Sequence, residues 1–284
     1  MILVPLITPF GPDGQVALDA LEELAREVLR DGAAGLVALG TTGEAAALDT
    51  EERAAVIAAV GRACRERGAR FVVGVGAGDT RRAAADLAAL ATLPDVPDAA
   101  LVTVPSFTRP GEAGVLAHFR ALATSSPVPL LVYHIPVRTG QQLTARALRE
   151  LAGIDGVTGV KYAAGGIDAG AVALLGERPE GFEVLAGDDA FAPALFALGA
   201  QGGILASAHL VTGRWAELAE TGDRALGHRL SALAAAVFSE PNPAVVKAVL
   251  HAQGRIPTPD VRLPLLPASP QALAEALTRV RLVT

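Results

Sequence analysis

Short apolar stretches alternate with longer segments of helical pattern along most of the chain. The short stretches are continuously apolar, which predicts buried strands at 2–8, 35–40, 70–76, 99–104, 130–134, 156–161, 182–186 and 202–205. Apolar positions in the longer segments recur every three or four residues, which predicts helices near 18–31, 51–67, 79–92, 111–124, 144–152, 167–176 and 189–198.

Helix-end signals support these boundaries. Asp49 and Asp79 stand where N-caps are expected, because their carboxylates can accept from the free N–H groups of a first helical turn. Gly32, Gly68 and Gly199 stand just after predicted helices, where a left-handed residue commonly ends the helix.

Eight strand–helix units in succession predict an α/β fold with a parallel sheet covered by helices. Units of about 30 residues fit a closed (β/α)8 TIM barrel better than an open sheet. No strand is followed by a dinucleotide-binding or P-loop glycine motif. Residues 207–284 carry only helical patterns, so we expect a barrel over 1–222 and a C-terminal helical extension over 223–284 that packs on it.

Composition narrows the class of protein. The 284 residues are 51% hydrophobic and 19% charged, as in a globular protein, and the net charge of −6 argues against a nucleic-acid surface. The single cysteine, Cys64, requires no oxidising compartment. No secretory signal or membrane-spanning stretch is evident, so we expect a cytoplasmic protein with no membrane partner.

The basic residues are divided very unevenly, into 22 arginines and two lysines. Lys161 ends the sixth predicted strand, where apolar neighbours would lower the pKa of its amine and make it a nucleophile. A guanidinium stays protonated and cannot replace it in that role. The alternative is a strand-end lysine whose amine reaches solvent. Lys247 falls in a helical pattern, where a surface or packing role is expected.

The two tyrosines also fall at predicted strand ends. Tyr133 ends the fifth strand, one unit before Lys161, and Tyr162 follows that lysine. A phenol beside an amine suits the proton transfers of imine formation, although an aromatic side chain closing the barrel mouth has the same spacing. Because neighbouring strand residues face opposite ways, Tyr162 need not enter the site.

Two loops after predicted strands carry groups suited to binding anions. Gly40-Thr41-Thr42-Gly43-Glu44 follows the second strand, and its glycines would permit a tight turn whose backbone N–H groups and hydroxyls hold a carboxylate. A simple strand–helix turn would use glycine as well. Arg138, after the fifth strand, could bind a substrate carboxylate or be a solvated loop arginine.

Other reactive residue types suggest no site. The five histidines lack metal-ligand spacing. Asp188 and Asp189 are better read as a helix N-cap than as metal ligands, and Cys64 as a packing residue.

Several motifs in order resemble one known family. They are GTTGE at Gly40–Glu44, YHIPVRTG from Tyr133, GVKYAAG around Lys161, Gly187-Asp188-Asp189, and two motifs of the tail, Glu240-Pro241-Asn242-Pro243 and Arg262-Leu263-Pro264-Leu265. In this order, over essentially the whole chain, they resemble the dihydrodipicolinate synthase / N-acetylneuraminate lyase family of pyruvate-dependent class I aldolases, which are (β/α)8 barrels.

The resemblance implies a role for each matching residue. Lys161 would form the Schiff base with pyruvate, and Tyr133 would shuttle protons, with Thr41 linking it to solvent or to the second substrate. Thr41 and Thr42 would hold the pyruvate carboxylate, and the carbonyl of Ile204 would face the bound keto acid. No cofactor beyond this covalent imine is implied.

Three positions bear on the substrate. Arg138 resembles the arginine that the synthases use toward aspartate semialdehyde. Phe107 stands where the synthases have a tyrosine that crosses a tight dimer interface, and Tyr162 stands where they commonly have glutamate.

The lysine-feedback site of regulated members is not matched, so we expect no inhibition by lysine; the positions concerned are Thr50, Arg53, Gly78, Arg82 and Ser106.

The expected activity is therefore condensation of pyruvate with a small aldehyde, first of all L-aspartate 4-semialdehyde, in lysine biosynthesis. An aldolase or dehydratase of a 2-keto-3-deoxy sugar acid or a hydroxy-oxo acid is the alternative. A non-catalytic barrel that binds a keto acid is a second alternative, against which the retained Lys161 argues. The resemblance also implies a homotetramer built from two tight dimers.

Overall fold

A closed parallel barrel forms the centre of the molecule. The computed structural model describes residues 1–76 and 78–284. Eight parallel strands follow one another in chain order, and the last pairs with the first. They are β1 (Ile2–Pro5), β2 (Gly35–Ala38), β3 (Arg70–Val75), β4 (Ala99–Thr103), β5 (Leu130–His134), β6 (Val157–Tyr162), β7 (Glu183–Ala186) and β8 (Gly202–Ile204). The predicted (β/α)8 barrel is confirmed.

Helices connect the strands and continue after the last one. They are α1 (Leu18–Arg30), α2 (Thr50–Arg67), α3 (Thr80–Ala89), α4 (Gly111–Ser125), α5 (Pro136–Thr139), α6 (Ala145–Ala152), α7 (Ala169–Gly176), α8 (Ala192–Ala197), α9 (Thr212–Thr221), α10 (Arg224–Val237), α11 (Ala244–Ala252) and α12 (Pro270–Val283). Among the residues that the structure describes, no helix is long and apolar enough to cross a membrane.

The strands are buried on both sides, which explains why they are apolar at every position. Along β5, Leu130 and Val132 pack toward the helices, whereas Leu131 and Tyr133 point into the barrel with Leu185 of β7. Each fully buried aliphatic side chain contributes about 1.5–3 kcal/mol. Both apolar layers therefore stabilise the barrel and leave its carboxyl end as the place for polar groups.

The predicted helix ends are confirmed. Asp49 and Glu52 form a reciprocal capping box at the start of α2, and the Asp79 carboxylate accepts from the third residue of α3. Gly32, Gly68 and Gly199 have positive φ angles, as expected for residues that end helices.

Several strands are shorter than predicted, and β1 differs the most. β1 ends at Pro5 and not at residue 8. Beyond it, the N–H of Ile7 donates to the ring of His209, and the Thr8 hydroxyl donates to the Gly43 carbonyl. These side-chain and loop contacts replace the strand ladder at the barrel mouth.

The C-terminal helices pack on the barrel and return to its carboxyl end. α10 packs against α8 and α12, and α11 lies against α12 and the segment Ala206–His209. The following residues 253–269, which include no helix, bring Arg262 back to α2, where its guanidinium pairs with Glu52. The division into 1–222 and 223–284 stays a prediction.

Candidate active site

Lys161 and Tyr133 lie side by side at the carboxyl end of the barrel. Their backbones are paired in register on β6 and β5, and both side chains point into the barrel. Lys161 is only 6% exposed, and its Nζ lies 4.4 Å from the centre of the Tyr133 ring. The structure thus brings together the amine and the phenol on which the predicted chemistry depends.

Tyr162 faces the other way. Its ring belongs to the apolar layer between strands and helices, and its hydroxyl donates to Oδ1 of Asp168 at 2.6 Å. Burial, and then the hydrogen bond to Asp168, raises the pKa of Tyr162 above its ordinary value. The expectation that Tyr162 need not enter the site is confirmed.

The segment Gly40–Glu44 forms a tight turn, but not through glycine flexibility. The left-handed conformations fall on the flanking residues Leu39, with φ of 55°, and Glu44, with φ of 54°. Gly43 is needed for a close approach instead, since a Cβ there would lie 2.9 Å from the carbonyl oxygen of Leu6. The predicted tight turn is therefore present, with its left-handed angles on Leu39 and Glu44 and not on the glycines.

The turn presents several donors together. The N–H groups of Gly43 and Glu44 close it by bonding back to Gly40 and Thr41. The N–H groups of Thr41 and Thr42 come first in the turn, where no preceding carbonyl is in position to accept from them. The Thr42 hydroxyl accepts from Nδ2 of Asn242 at 2.9 Å. These groups can hold an anion, as the sequence predicts.

A cavity of about 350 Å³ opens beside this turn. Gly40, Thr41, Tyr133 and Arg138 line one part of it, and residues of the C-terminal segment line another. Lys161, Thr42, Gly43 and Ile204 are buried and do not line the cavity, with exposures from 1% for Ile204 to 6% for Lys161. Every predicted site residue lies at or just after the carboxyl end of a barrel strand, and Gly40, Thr41, Tyr133 and Arg138 line the cavity.

The loops after β4 and β5 carry the residues predicted to affect the substrate and the oligomer. Arg138 is exposed in α5, and no carboxylate among residues 1–76 and 78–284 lies within ion-pair distance of it. Phe107 is 95% exposed and has φ of 68°, and Val137 is 82% exposed. The N–H of Phe107 donates to the carbonyl of Thr139, so the two loops touch.

Asp188 and Asp189 tie loops together. The carboxylate of Asp188 accepts from the N–H of Gly165, and Asp189 accepts from both the N–H and the hydroxyl of Ser207 at 2.6 Å. Asp188 stands at the N-cap position of the short helix Asp189–Phe191, as predicted, but its side chain makes no capping hydrogen bond. Burial raises the pKa of both carboxyls, and the charge of Lys161 opposes the shift.

The remaining reactive residue types are structural. Cys64 is buried in α2, and burial raises the pKa of its thiol to about 12, which fits the predicted packing role. No group of three or more metal-ligating side chains occurs within residues 1–76 and 78–284.

Lys247 is not a surface residue. Its side chain is fully buried, with Nζ 2.5 Å from Oε1 of Glu44, 2.7 Å from the carbonyl of Asp260 and 4.0 Å from the centre of the Phe10 ring. Burial lowers its pKa to about 8, against the opposing effect of the Glu44 charge. Sequence reasoning missed this pair, although the count that singled out Lys161 pointed equally to the other lysine.

A closed barrel with an amine, a phenol and an anion-binding turn at its carboxyl end has the groups that an enzyme of the pyruvate-lyase class requires. Comparisons with known proteins agree. The model of the dihydrodipicolinate synthetase family matches residues 1–281. The 4-hydroxy-tetrahydrodipicolinate synthase of Synechococcus elongatus is 38% identical over 100% of this chain and 97% of its own. That of Neisseria meningitidis serogroup B is 36% identical over 96% and 94%.

Solved structures of the same kind superpose closely. The chloride-inhibited dihydrodipicolinate synthase of Acinetobacter baumannii, complexed with pyruvate, has a TM-score of 0.91 and 34% identity, covering 98% of each chain. The enzyme of Cyanidioschyzon merolae with lysine bound has a TM-score of 0.92 and 27% identity, covering 100% of this chain and 98% of its own. The chain belongs to the dihydrodipicolinate synthetase family.

Proposed function

We propose that this protein is a 4-hydroxy-tetrahydrodipicolinate synthase, a lyase that condenses pyruvate with L-aspartate 4-semialdehyde through a Schiff base on Lys161. The observation that carries the proposal is the buried pair of Lys161 and Tyr133, with 4.4 Å between the amine and the ring centre. The full-length relatives that bear this name, and the pyruvate complex of the Acinetobacter baumannii enzyme, support the choice of substrates.

The reaction begins at the ketone of pyruvate. The neutral amine of Lys161 attacks C2, and Tyr133 donates a proton as the carbinolamine loses water and becomes an imine. The imine withdraws electrons, so a methyl proton leaves and an enamine forms. The enamine carbon attacks the aldehyde carbon, whose oxygen takes up a proton. The amino group of the semialdehyde then attacks the imine carbon, closes the ring and releases Lys161.

Binding groups orient the two substrates. The turn at Thr41 and Thr42 receives the carboxylate of pyruvate, and the carbonyl of Ile204 faces the bound keto acid. Arg138 lies at the cavity and binds the carboxylate of the semialdehyde. Thr41 links Tyr133 to the second substrate. We propose that the enzyme needs no cofactor, since the imine itself supplies the electron sink, and activity should survive prolonged dialysis against a chelator.

We also propose a homotetramer of two tight dimers in the cytoplasm. Phe107 and Val137 project almost fully into solvent from touching loops, and such apolar residues suit burial by a second copy. Light scattering at micromolar protein concentration measures the assembly. A monomer at that concentration would contradict this part of the proposal. A structurally similar synthase has been described as a monomeric variant.

The decisive experiment traps the imine. Borohydride added with pyruvate should reduce it to a stable adduct, which mass spectrometry locates after digestion. Only two lysines occur, so an adduct on Lys161 is readily told from one on Lys247. Lys161→Ala, which keeps Lys247 and the N-terminal amine, is the matched control. Absence of adduct from the unaltered protein would refute every Schiff-base mechanism.

One observation keeps the alternative activity open. Phe107 provides no hydroxyl at the position where the synthases have tyrosine, which fits an aldolase or dehydratase of a 2-keto-3-deoxy sugar acid or hydroxy-oxo acid. Steady-state rates decide between the two activities. We expect aspartate semialdehyde to be turned over with a higher kcat/KM than sugar-derived aldehydes, and the reverse order would select the alternative.

A further inference from the structure

The carboxylate of Glu44, the last residue of the anion-binding turn, accepts its hydrogen bonds from the C-terminal part of the chain. Its Oε1 accepts from Nζ of Lys247 at 2.5 Å, and its Oε2 accepts from the backbone N–H of Arg262 at 2.8 Å. Both charged side chains are almost completely buried. A residue at the mouth of the barrel is thus fixed by contacts with residues more than 200 positions later.

The backbone of Glu44 explains why such contacts are needed. Its φ of 54° is unfavourable for a residue with a Cβ, and such a conformation persists only where its surroundings enforce it. Here the two donors from Lys247 and Arg262 fix the carboxylate, and with it the chain direction after Gly43. If one donor were removed, the turn would be free to relax toward ordinary backbone angles.

The same C-terminal segment contacts the middle of the turn. Asn242, just before α11, donates to the hydroxyl of Thr42. The Thr42 hydroxyl has a single proton and accepts a hydrogen bond from Asn242. Its own proton is therefore free to be donated to another acceptor. The N–H groups of Thr41 and Thr42 belong to the same turn. The geometry of this donor set depends on where the turn is placed.

Lys247 has no part in the proposed reaction itself. It is buried behind Glu44, against the carbonyl of Asp260 and the ring of Phe10, and it does not reach the Lys161–Tyr133 pair. A fully buried ion pair gives little net stability compared with apolar residues of similar size, so stability alone is a weak reason for this lysine. A role in fixing the shape of the turn is a sufficient reason for a buried lysine at this position.

We propose that Lys247 is a positioning residue, whose ion pair with Glu44 holds the Thr41–Thr42 turn in the shape that receives the carboxylate of the keto acid. The inference rests on the proposed function and assigns this task to the C-terminal extension. It concerns how tightly the keto acid binds, not how fast Lys161 reacts once the acid is bound.

The test uses Lys247→Met in the full-length protein. We expect the pyruvate concentration for half-maximal borohydride trapping to rise roughly tenfold, the effect of weakening about one hydrogen bond to a charged group. The extent of trapping at saturating pyruvate should stay within about twofold, since Lys161 is untouched. Arg255→Met is the matched control, because Arg255 ties the same C-terminal segment to Glu27 of α1 without contacting the turn. Its half-saturation should be unchanged.

A second variant separates positioning from simple destabilisation. Lys247→Met combined with Glu44→Gln leaves no unpaired buried charge, so its stability should exceed that of Lys247→Met. Its half-saturation for pyruvate should nevertheless stay raised. Recovery of normal pyruvate binding together with stability would overturn the proposal.

Two further outcomes distinguish this inference from the proposed function. An adduct with unchanged half-saturation in Lys247→Met would overturn the inference and leave the proposed function standing. Absence of adduct from the unaltered protein would refute the proposed function, and with it the assignment of a keto acid as the ligand of the turn.

Hydrogen exchange of the peptide containing Thr41–Glu44 tests the positioning without substrate. It should quicken in Lys247→Met and not in Arg255→Met, and equal exchange in the two variants would overturn it.

Discussion

Gly187 lies directly against the side chain of Lys161. A Cβ at Gly187 would be 2.8 Å from Cγ of the lysine and 3.0 Å from its Cε, and also 2.9 Å from Cβ of Ala163. All three distances are shorter than ordinary van der Waals contacts. The chain leaving β7 therefore passes over the stem of the lysine with no space for a side chain.

Gly187→Ala should displace the amine of Lys161. A shift of about 1 Å in a reacting group can cost about a hundredfold in rate, so we expect kcat to fall by about that factor, with slower borohydride trapping. Gly166→Ala is the control, because no atom of residues 1–76 and 78–284 lies within 4 Å of the Cβ it would add. Normal kcat in Gly187→Ala would mean that the lysine tolerates the displacement.

The two tyrosines allow a matched comparison. Tyr133→Phe should lower kcat by roughly 10² to 10⁴, the usual contribution of a positioned proton donor, while pyruvate still forms an adduct slowly. Tyr162→Phe removes a hydroxyl that bonds only to Asp168 outside the barrel. It should lower stability by about 1 kcal/mol and change kcat by less than about twofold. Equal losses of activity in the two variants would contradict the assignment of Tyr133.

Phe107→Tyr should raise turnover of aspartate semialdehyde. The added hydroxyl restores the group that the related synthases carry at this position. We expect an increase of severalfold in kcat, at the low end of what a proton relay contributes, with little change in KM for pyruvate. A rate equal to that of the unaltered protein would show that another group already carries the proton.

The protein should lose stability in mild acid because of buried histidines. The ring of His209 accepts from the N–H of Ile7 and bonds to the carbonyl of Ala206, and burial lowers its pKa to about 4. The unfolded chain binds this proton below pH 6.5 and the folded one does not. Stability is therefore complete above pH 6.5 and falls toward pH 4, by on the order of 3 kcal/mol per histidine. Denaturant midpoints between pH 7.5 and 4.5 measure the loss.

His134 supplies the control for this acid dependence. Burial also lowers its pKa to about 4, and its two ring nitrogens have no hydrogen-bond partner among the described residues. His134→Leu removes the titrating group without breaking a hydrogen bond. Its midpoint should depend less on pH than that of the unaltered protein, and it should not fall at pH 7.5. An unchanged acid slope would assign the loss to other groups.

L-lysine should leave the activity unchanged at millimolar concentration. The positions of the feedback site, among them Arg53 and Ser106, do not match those of regulated members of the family. Calorimetry measures lysine binding directly, and the Cyanidioschyzon merolae enzyme, solved with lysine bound, is the reference in that measurement. Saturable inhibition would contradict the expectation.

The barrel and the central pair were predictable because they depend on local pattern and on one topological rule. Continuous apolar stretches of four to seven residues indicated a parallel sheet covered on both sides, and consecutive strands of such a barrel are neighbours. Lys161 and Tyr133 end consecutive strands, so their proximity followed from the fold class. The outward orientation of Tyr162 followed from side-chain alternation.

The backbone of the turn, the partner of Asp189 and the burial of Lys247 depend on contacts between distant parts of the chain. The pattern of hydrophobic and polar residues does not encode such contacts. Leu39 has a left-handed backbone, and its carbonyl oxygen packs where a Cβ at Gly74 would stand. Glu44 also has a left-handed backbone, and its carboxylate is bound by Lys247. Neither partner lies nearby in sequence. Asp189 was misread for the same reason, since its partner Ser207 follows the next strand. Helical periodicity alone also left a surface or a packing role open for Lys247, which is buried in α11.

The tie between Glu44 and Lys247 also affects the order in which the protein matures. Its two ends are separated by 203 positions, and the second donor to Glu44 comes later still, at Arg262. During synthesis, the amine and the phenol emerge from the ribosome well before the segment that shapes the carboxylate-binding turn. On the proposed role of Lys247, the nucleophile is therefore synthesised before the carboxylate-binding turn is complete, and tight binding of a keto acid requires the barrel and the C-terminal extension together.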